Sequence, residues 1–156
     1  MKQLICTLIA ALISLAAWGQ KEQDFASRFI ALYAPGTSLQ CTTVSPLMME
    51  RLLKLPKVEG DSTTKQVLSQ LKSIRLAVSP NPAEAETLYA NALQLAKQNP
   101  KRYKLYAEEE GKKLYTRSRG RVIVEIVLFM KHGEQFSLIN LTGNMNGTFL
   151  EQLSGI

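Results

Sequence analysis

Side chains of the types that catalyse reactions or bind metal ions are scarce in this sequence. His132 is the only histidine, and Cys41 is the only cysteine beyond the first 19 residues. A Ser-His-Asp triad requires a histidine, but the segment Lys131-His132-Gly133-Glu134 has the length and the glycine of a hairpin turn, where a histidine is normally solvated. One histidine and one cysteine also cannot complete an ordinary zinc site. The sequence therefore predicts no catalytic triad, no metal site and no cofactor.

Carboxylates provide the second chemistry to consider. Glu108-Glu109-Glu110 has the composition of a calcium ligand set or, together with Glu125, of a carboxylate pair. Consecutive glutamates beside a turn usually form a solvated rim, and strand alternation directs Glu109 away from its two neighbours. No glycine-rich phosphate loop follows a predicted strand. We therefore predict that the protein is not an enzyme; a small periplasmic hydrolase or transferase with an unrecognised site is the alternative.

Basic and aromatic side chains are concentrated in one part of the chain. Residues 97–131 contain ten basic and four acidic residues, and such a charge excess attracts anions. On two adjacent predicted strands, alternation brings five basic and aromatic residues onto one face: Lys104, Tyr106, Lys113, Tyr115 and Arg117. The pattern predicts a face that binds an anionic glycan, an anionic lipid or an acidic protein partner. A cationic, solvated face without a ligand is the alternative.

The first 19 residues have the organisation of a secretory signal peptide. Lys2 gives a positive start, residues 4–17 are mostly apolar and uncharged, and Ala17-Trp18-Gly19 has small residues at the two positions that signal peptidase recognises. The apolar run is short for a membrane-spanning helix. We predict cleavage after Gly19, with residues 20–156 exported as one domain to the periplasm or outer cell envelope, peripheral to the membrane at most.

Export also bears on the partners of the basic and aromatic face. Removal of Lys2 leaves 18 basic and 13 acidic residues, a net charge of +5. Tyrosines among basic residues on a sheet face suit the stacking of nucleic-acid bases. An exported protein instead encounters lipid head groups, lipopolysaccharide, acidic glycans and envelope proteins. The sequence therefore predicts no nucleic-acid partner.

The most strand-like segment runs from residue 121 to residue 145. Its first half is apolar on both faces except at Glu125 and is rich in β-branched residues, which favours a central strand over a buried helix. After the predicted hairpin turn, residues 136–141 resume the apolar pattern, and Thr142-Gly143-Asn144 is interpreted as a turn. Two shorter strands with turn glycines at Gly111 and Gly120 precede this pair.

Helix signals dominate the first half of the mature chain. Asp24, Ser45 and Asn81 are predicted N-caps, and proline follows directly in the last two cases. Short strands are predicted at residues 39–44 and 74–78. We expect the helix over residues 47–55 to be mostly buried, with an exposed binding surface as the alternative. Cys41 is expected to be a small buried hydrophobe, with a reactive thiol as the alternative.

The predicted order is helix, strand, two helices, strand, helix, four antiparallel strands and a short helix. Early helices and late strands predict an α+β domain in which helices pack on one face of a mainly antiparallel sheet, with a strand-rich C-terminal half. The other face would carry the tyrosines, lysines and arginines of the predicted binding face.

Several segments resemble a known family. The segments Cys41–Met49, Ser73–Leu76, Arg121–Met130 and Ser137–Met145 are similar to those of a Bacteroidota family of secreted proteins catalogued as domain of unknown function 4252 (DUF4252). The resemblance covers essentially the whole mature chain and implies a small secreted or envelope protein of one domain, without implying catalytic residues. In envelope proteins of that phylum, a tripeptide like Asp61-Ser62-Thr63 is an O-glycosylation acceptor, with Ser62 or Thr63 as the modified residue.

Overall fold

The computed structural model describes residues 23–154, so the predicted signal peptide lies outside the described residues. The elements are α1 (Phe25–Tyr33), β1 (Gln40–Val44), α2 (Pro46–Leu53), α3 (Pro56–Glu59), α4 (Ser62–Ser69), β2 (Leu71–Ser79), α5 (Pro82–Lys97), β3 (Lys104–Glu109), β4 (Lys112–Arg119), β5 (Val122–His132), β6 (Gln135–Met145) and α6 (Gly147–Ser154). The predicted α+β class and strand-rich C-terminal half are confirmed.

The described strands form one antiparallel sheet in the order β1-β2-β6-β5-β4-β3. The hairpin β5–β6 supplies two of the four inner strands, which explains why residues 122–130 are apolar on both sides. Its turn is two residues long, because His132 pairs with Gln135, and Gly133 adopts a φ of 58°. Glycine reaches this left-handed conformation without steric cost. The predicted central hairpin is therefore confirmed.

Local capping chemistry sets where the main helices begin. Asp24 accepts a hydrogen bond from the Ser27 amide, Ser45 from the Met48 amide and Asn81 from the Ala83 amide. Pro46 and Pro82 then occupy first-turn positions, where their missing amide hydrogens cost nothing. These three predicted N-caps are confirmed, and the buried positions of α5 are the predicted ones: Ala85, Leu88, Ala92, Leu95 and Ala96.

The core consists of two clusters on opposite faces of the sheet. On the face that α1 and α5 cover, Phe25 and Phe29 pack with Val127 and Phe129. On the face that α2, α4 and α6 cover, Met49 and Phe149 pack with strand residues such as Ile126. Because successive strand residues point to opposite sides, Ile126 and Val127 serve different clusters. The helices thus divide between both faces, whereas the sequence had suggested one, and little of either face is left open to solvent.

Two burial predictions are wrong. In α2 only Met49 is buried, whereas Leu47 and Met48 are 58% and 47% exposed. The helix lies at the β1 end of the sheet, where it contacts β2 and little covers its outer side. Cys41 is also exposed, because β1 is an edge strand and its position has only β2 beside it.

Residues 142–144 do not form the predicted turn. They continue β6, and Gly143 pairs with Leu71 at the start of β2. A Cβ atom on Gly143 would lie 2.0 Å from the Gln70 carbonyl oxygen. Glycine is needed here because the backbones of β6 and β2 approach closely, and such close approach is a common reason for a glycine inside a strand.

None of the helices in the described part is long and apolar enough to cross a membrane.

Candidate functional site

The five residues of the predicted binding face do not share a face. Lys113, Tyr115 and Arg117 pair with Phe129, Val127 and Glu125, on the side of the sheet that α1 and α5 cover. Lys104 pairs with Thr116, which alternates with them and points to the other side. Directly paired residues of antiparallel strands point to the same side. A register shift between Leu105 and Ala107 also breaks the alternation of β3 around Tyr106.

Tyr115, Lys113 and Arg117 are buried or partly buried, so they do not form an exposed face. Tyr115 is 4% exposed and stacks on Phe129, with 5.7 Å between the ring centroids. Lys113 forms a salt bridge with Glu108, and Arg117 forms one with Glu125. Only Lys104 and Tyr106 are exposed. The predicted basic and aromatic sheet face is therefore wrong as a surface, because helices cover one half of it and a bulge separates the other.

Glu125 is the centre of a buried polar network instead. Its side chain is fully buried, and its Oε2 atom accepts hydrogen bonds from Arg117 Nε at 2.7 Å and from the Tyr103 hydroxyl at 3.4 Å. Its Oε1 atom accepts from the Phe25 amide at 2.6 Å and from Asn140 Nδ2 at 3.1 Å. A buried carboxylate needs this degree of hydrogen bonding to offset its desolvation.

The network holds the start of α1 on the sheet. The first two amides of α1, on Phe25 and Ala26, donate to Glu125 and to Asn140 Oδ1, the latter at 2.8 Å. Asp24 caps the helix and also accepts from Arg75 Nε at 2.9 Å. The positive end of the helix dipole thus faces a carboxylate on β5 and an amide oxygen on β6.

Tyr103 closes the other side of the network. Burial, and secondarily the negative charge of Glu125, raises the pKa of Tyr103 to about 12, so its hydroxyl stays protonated and donates to Glu125. Arg102 Nε donates to the Tyr103 hydroxyl at 3.2 Å, and Arg102 Nη2 donates to the Gln23 carbonyl at 2.6 Å. Arg102 and Tyr103, which lie next to each other before β3, therefore connect the residues at the start of α1 to β5.

A cleft opens beside this network. It has a volume of about 520 Å³ and is lined by Asp24, Lys72, Arg117, Arg119, Val124, Thr142, Gly143 and Asn144. We call these residues the basic cleft, since three of them are cationic and one is acidic. Asp24 is paired with Arg75 and Arg117 with Glu125, so each contributes to a neutral pair. Lys72 and Arg119 are the other two cationic residues of the lining, and both are exposed.

Three β-bulges create the basic cleft. The pairing shifts between Leu71 and Ser73 in β2, between Ile123 and Glu125 in β5, and between Arg117 and Ser118 in β4. Lys72 is the extra residue of β2 opposite β6, Val124 is the extra residue of β5 opposite β4, and both line the cleft. A bulge bends its strand and redirects a side chain, which is why bulges occur often beside functional sites.

Hydrogen-bond donors are the main polar groups that line the basic cleft. Lys72, Arg119, the Thr142 hydroxyl and the Asn144 amide are hydrogen-bond donors. The Thr142 hydroxyl contacts the Ser73 hydroxyl, and Asp24 is engaged as a helix cap. Over residues 23–154, no group of three or more His, Cys, Asp or Glu side chains is placed to hold a metal ion.

The other chemistry-bearing residues lie apart from the cleft. His132 is exposed at the end of β5, and Glu108, Glu109 and Glu110 are exposed near the β3–β4 turn, as predicted. Glu108 pairs with Lys113 and Glu109 with Lys112, so they point to opposite sides. Sequence reasoning missed Lys72, Arg119 and Asn144 as site residues. The available signals were Glu125, a single charge in an apolar strand, and Gly143, a glycine within a strand.

The structure defines an α+β domain with an antiparallel sheet, helices on both faces and a cleft beside its β-bulges. The chain belongs to the family described as Domain of unknown function (DUF4252), which it matches over residues 38–153. The match extends from the residues before β1 into α6 and includes every residue of the basic cleft except Asp24. No curated protein matches the chain significantly.

Proposed function

We propose that this protein is a non-enzymatic binding module of the cell envelope, which holds an anionic group of an envelope glycan or lipid in the basic cleft. The observation that carries the proposal is the lining of that cleft, where Lys72 and Arg119 are exposed and the one carboxylate, Asp24, already has an arginine partner. This replaces the sheet face predicted from the sequence with a different set of residues and keeps the class of ligand.

The donors of the cleft match the chemistry of a phosphate or carboxylate group. Lys72 and Arg119 provide ionised donors, and the Thr142 hydroxyl and the Asn144 amide provide neutral ones. Charged donors form the stronger hydrogen bonds, while neutral donors add orientation. A cleft of about 520 Å³ has the size of ordinary small-molecule sites, which suits a sugar or a lipid head group that carries such an anion.

The bulges favour a binding role because they fix the cleft rigidly. Lys72 and Val124 each lie between two residues that are paired with a neighbouring strand, and Arg117 is held by the buried Glu125. A preorganised site loses less conformational entropy when the ligand binds. Export of the domain under the predicted signal peptide would bring the cleft to lipopolysaccharide, anionic lipids and acidic glycans.

The test is ligand binding to charge-reversed variants. The purified protein is titrated with lipopolysaccharide, with anionic lipid vesicles and with an acidic polysaccharide at low and at high salt. We expect one of the three to bind, and we expect affinity to fall with salt, because exposed charges are screened beyond roughly 10 Å at 0.1 M salt. The double variant Lys72→Glu/Arg119→Glu should bind at least about tenfold more weakly, a loss of about 1.4 kcal/mol.

Lys57→Glu is the matched control for the single variant Lys72→Glu, since each reversal changes the net charge by two units and Lys57 is exposed on α3 outside the cleft. Equal affinity of the cleft variant and the wild type would refute the proposal. Equal weakening by Lys57→Glu would show a general charge effect instead of a site. Conversion of a ligand into a product during the titration would favour the alternative, a small hydrolase or transferase.

A further inference from the structure

The two edges of the described sheet differ in how they are protected. At one edge, β3 carries Lys104, Glu108 and Glu109, and its pairing shifts between Leu105 and Ala107. Charged residues and bulges are the usual devices that stop an edge strand from pairing with another chain. The β3 edge is therefore guarded against strand addition.

The opposite edge, β1, has none of these devices. Its sequence Gln40-Cys41-Thr42-Thr43-Val44 contains no charge and no proline, and all five residues pair with β2 without a register shift. The first four residues are exposed. Two threonines and a valine also favour the extended conformation. This edge is regular, neutral and open, which is the state that natural proteins avoid unless the edge has a partner.

Apolar side chains flank the open edge. Leu47 and Met48 lie in the first turn of α2, immediately after β1, and both are largely exposed. Leu76, which pairs with Thr42 from β2, is 37% exposed. Residues 29–49, which include β1 and this first turn, contain no charged residue. Edge and flank together form a neutral, partly apolar surface on a chain whose net charge is +6.

We propose that β1 is the dimer interface of the protein, where β1 of a second copy pairs antiparallel with it and extends the sheet across both molecules. Strands related by a two-fold axis perpendicular to the sheet are antiparallel, as every pair in this sheet already is. Full overlap places Thr42 opposite Thr42 of the second copy, Cys41 opposite Thr43, and Gln40 opposite Val44.

The absence of charge on β1 favours a second copy of the protein over a charged segment of another protein. Two copies with a net charge of +6 repel each other across most surfaces, but β1 itself carries no charge, and Arg75, which pairs with Thr43, forms a salt bridge with Asp24. An acidic or basic peptide finds no complementary charge on β1. Five paired residues bury less than the roughly 1,200 Å² of a standard interface, so Leu47, Met48 and Leu76 must contribute apolar area.

The first experiment measures mass in solution. Sedimentation equilibrium of the purified protein between about 1 and 100 μM should give a dimer that dissociates on dilution. Thr42→Lys should be monomeric over this range, because two lysines would face each other across the axis, whereas the control Thr42→Val should stay dimeric. Thr42 is exposed, so neither change should move the melting temperature of the monomer.

A second experiment tests the register. In a Cys41→Ser background, Thr42→Cys should form an intermolecular disulfide under mild oxidation, because directly opposed residues of antiparallel strands have Cα atoms roughly 4.5–5.5 Å apart, which a disulfide spans. Gln40→Cys in the same background should not, since its two copies lie at opposite ends of the paired strands. A monomeric wild type at 100 μM, a dimeric Thr42→Lys variant, or equal crosslinking at both positions would overturn the proposal. The basic cleft shares no residue with β1. Thr42→Lys should therefore still bind the anion, so that failure of the dimer proposal and failure of the proposed function give different results.

Discussion

At the scale of single residues, Glu125 is the group on which most of the polar structure depends. It is fully buried, and a side chain from β4, one from β6, one from the loop before β3 and a backbone amide of α1 all donate to it. A buried ion pair of this kind is a poor source of net stability, but removal of one partner leaves the other uncompensated. The residue therefore acts as a positioning group that fixes Arg117 at the wall of the basic cleft.

The first prediction concerns the charge of Glu125. Glu125→Gln keeps the shape of the side chain and an oxygen for the Phe25 amide, but it removes the carboxylate charge that pairs with Arg117, whose side chain is only 12% exposed. We expect the free energy of unfolding to fall by about 2–4 kcal/mol, measured by urea denaturation. Glu134→Gln, at an exposed turn position, is the control and should change it by less than about 0.5 kcal/mol. A loss below about 1 kcal/mol for Glu125→Gln would contradict the role of the pair.

The second prediction follows from the raised pKa of Tyr103. The pKa is about 12 in the folded protein and near 10 when unfolded, so the unfolded chain loses this proton first. Stability from this group is complete below about pH 10 and is lost as the pH rises toward 12. Tyr103→Phe should remove roughly 1 kcal/mol of that alkaline loss by pH 11, after allowance for solvent screening, measured by urea denaturation at pH 9, 10 and 11.

Other groups titrate in the same range and serve as the internal comparison. Burial also raises the pKa values of Tyr89 and Tyr115, so some alkaline destabilisation should persist in Tyr103→Phe. An identical pH dependence in the variant and the wild type would mean that the Tyr103 hydroxyl is not the group that couples to folding.

At the scale of elements, β-bulges determine which side chains share a face of the sheet and which line the basic cleft. A strict two-residue alternation placed Lys104, Tyr106, Lys113, Tyr115 and Arg117 on one face, and the structure divides them because β3 gains a residue at its bulge. A bulge in β2 opposite β6 and a bulge in β5 opposite β4 bring Lys72 and Val124 to the basic cleft. A bulge depends on pairing between distant strands, so local sequence periodicity does not reveal it.

The third prediction tests the close approach at the end of β6. In Gly143→Ala the new Cβ atom would lie 2.0 Å from the Gln70 carbonyl oxygen and 2.9 Å from Leu71 Cα, both backbone atoms. We expect a loss of at least about 3 kcal/mol in the free energy of unfolding and weaker hydrogen-exchange protection at the start of β2, because the backbones must separate.

Gly147→Ala is the matched control for this substitution. Gly147 begins α6, and a Cβ atom there has nothing within 4 Å. Alanine is favoured over glycine in a helix by up to about 1 kcal/mol, so this variant should be unchanged or slightly more stable. Equal stability of both variants would show that β2 and β6 have room at residue 143.

At the scale of the whole molecule, local signals and long-range packing differ in how well the sequence predicts them. N-caps at Asp24, Ser45 and Asn81 and the stripe of α5 depend on neighbouring residues, and they were predictable. The exposure of Leu47, Met48 and Cys41 depends on which strand lies at the sheet edge. Edge position follows from the strand order, which places β6 between β2 and β5 and leaves β1 outside. No local pattern in residues 40–49 encodes that order.

The fourth prediction concerns processing of the chain. Ala17 and Gly19 occupy the two small-residue positions before the predicted cleavage site, and Asp24, the cap of α1, follows only five residues after it. Signal peptidase requires an extended, accessible segment, and cleavage after Gly19 leaves the capped helix and its contacts with Glu125 and Asn140 intact. Expression in an exporting bacterial host should therefore give a periplasmic or envelope protein that begins at Gln20, as determined by intact-mass spectrometry and N-terminal sequencing.

Ala17→Arg should block cleavage and leave a membrane-associated precursor heavier by residues 1–19, whereas the conservative Ala17→Ser should be processed normally. An unprocessed wild type in the cytoplasm would remove the envelope ligands from reach of the basic cleft, and with them the basis of the proposed function.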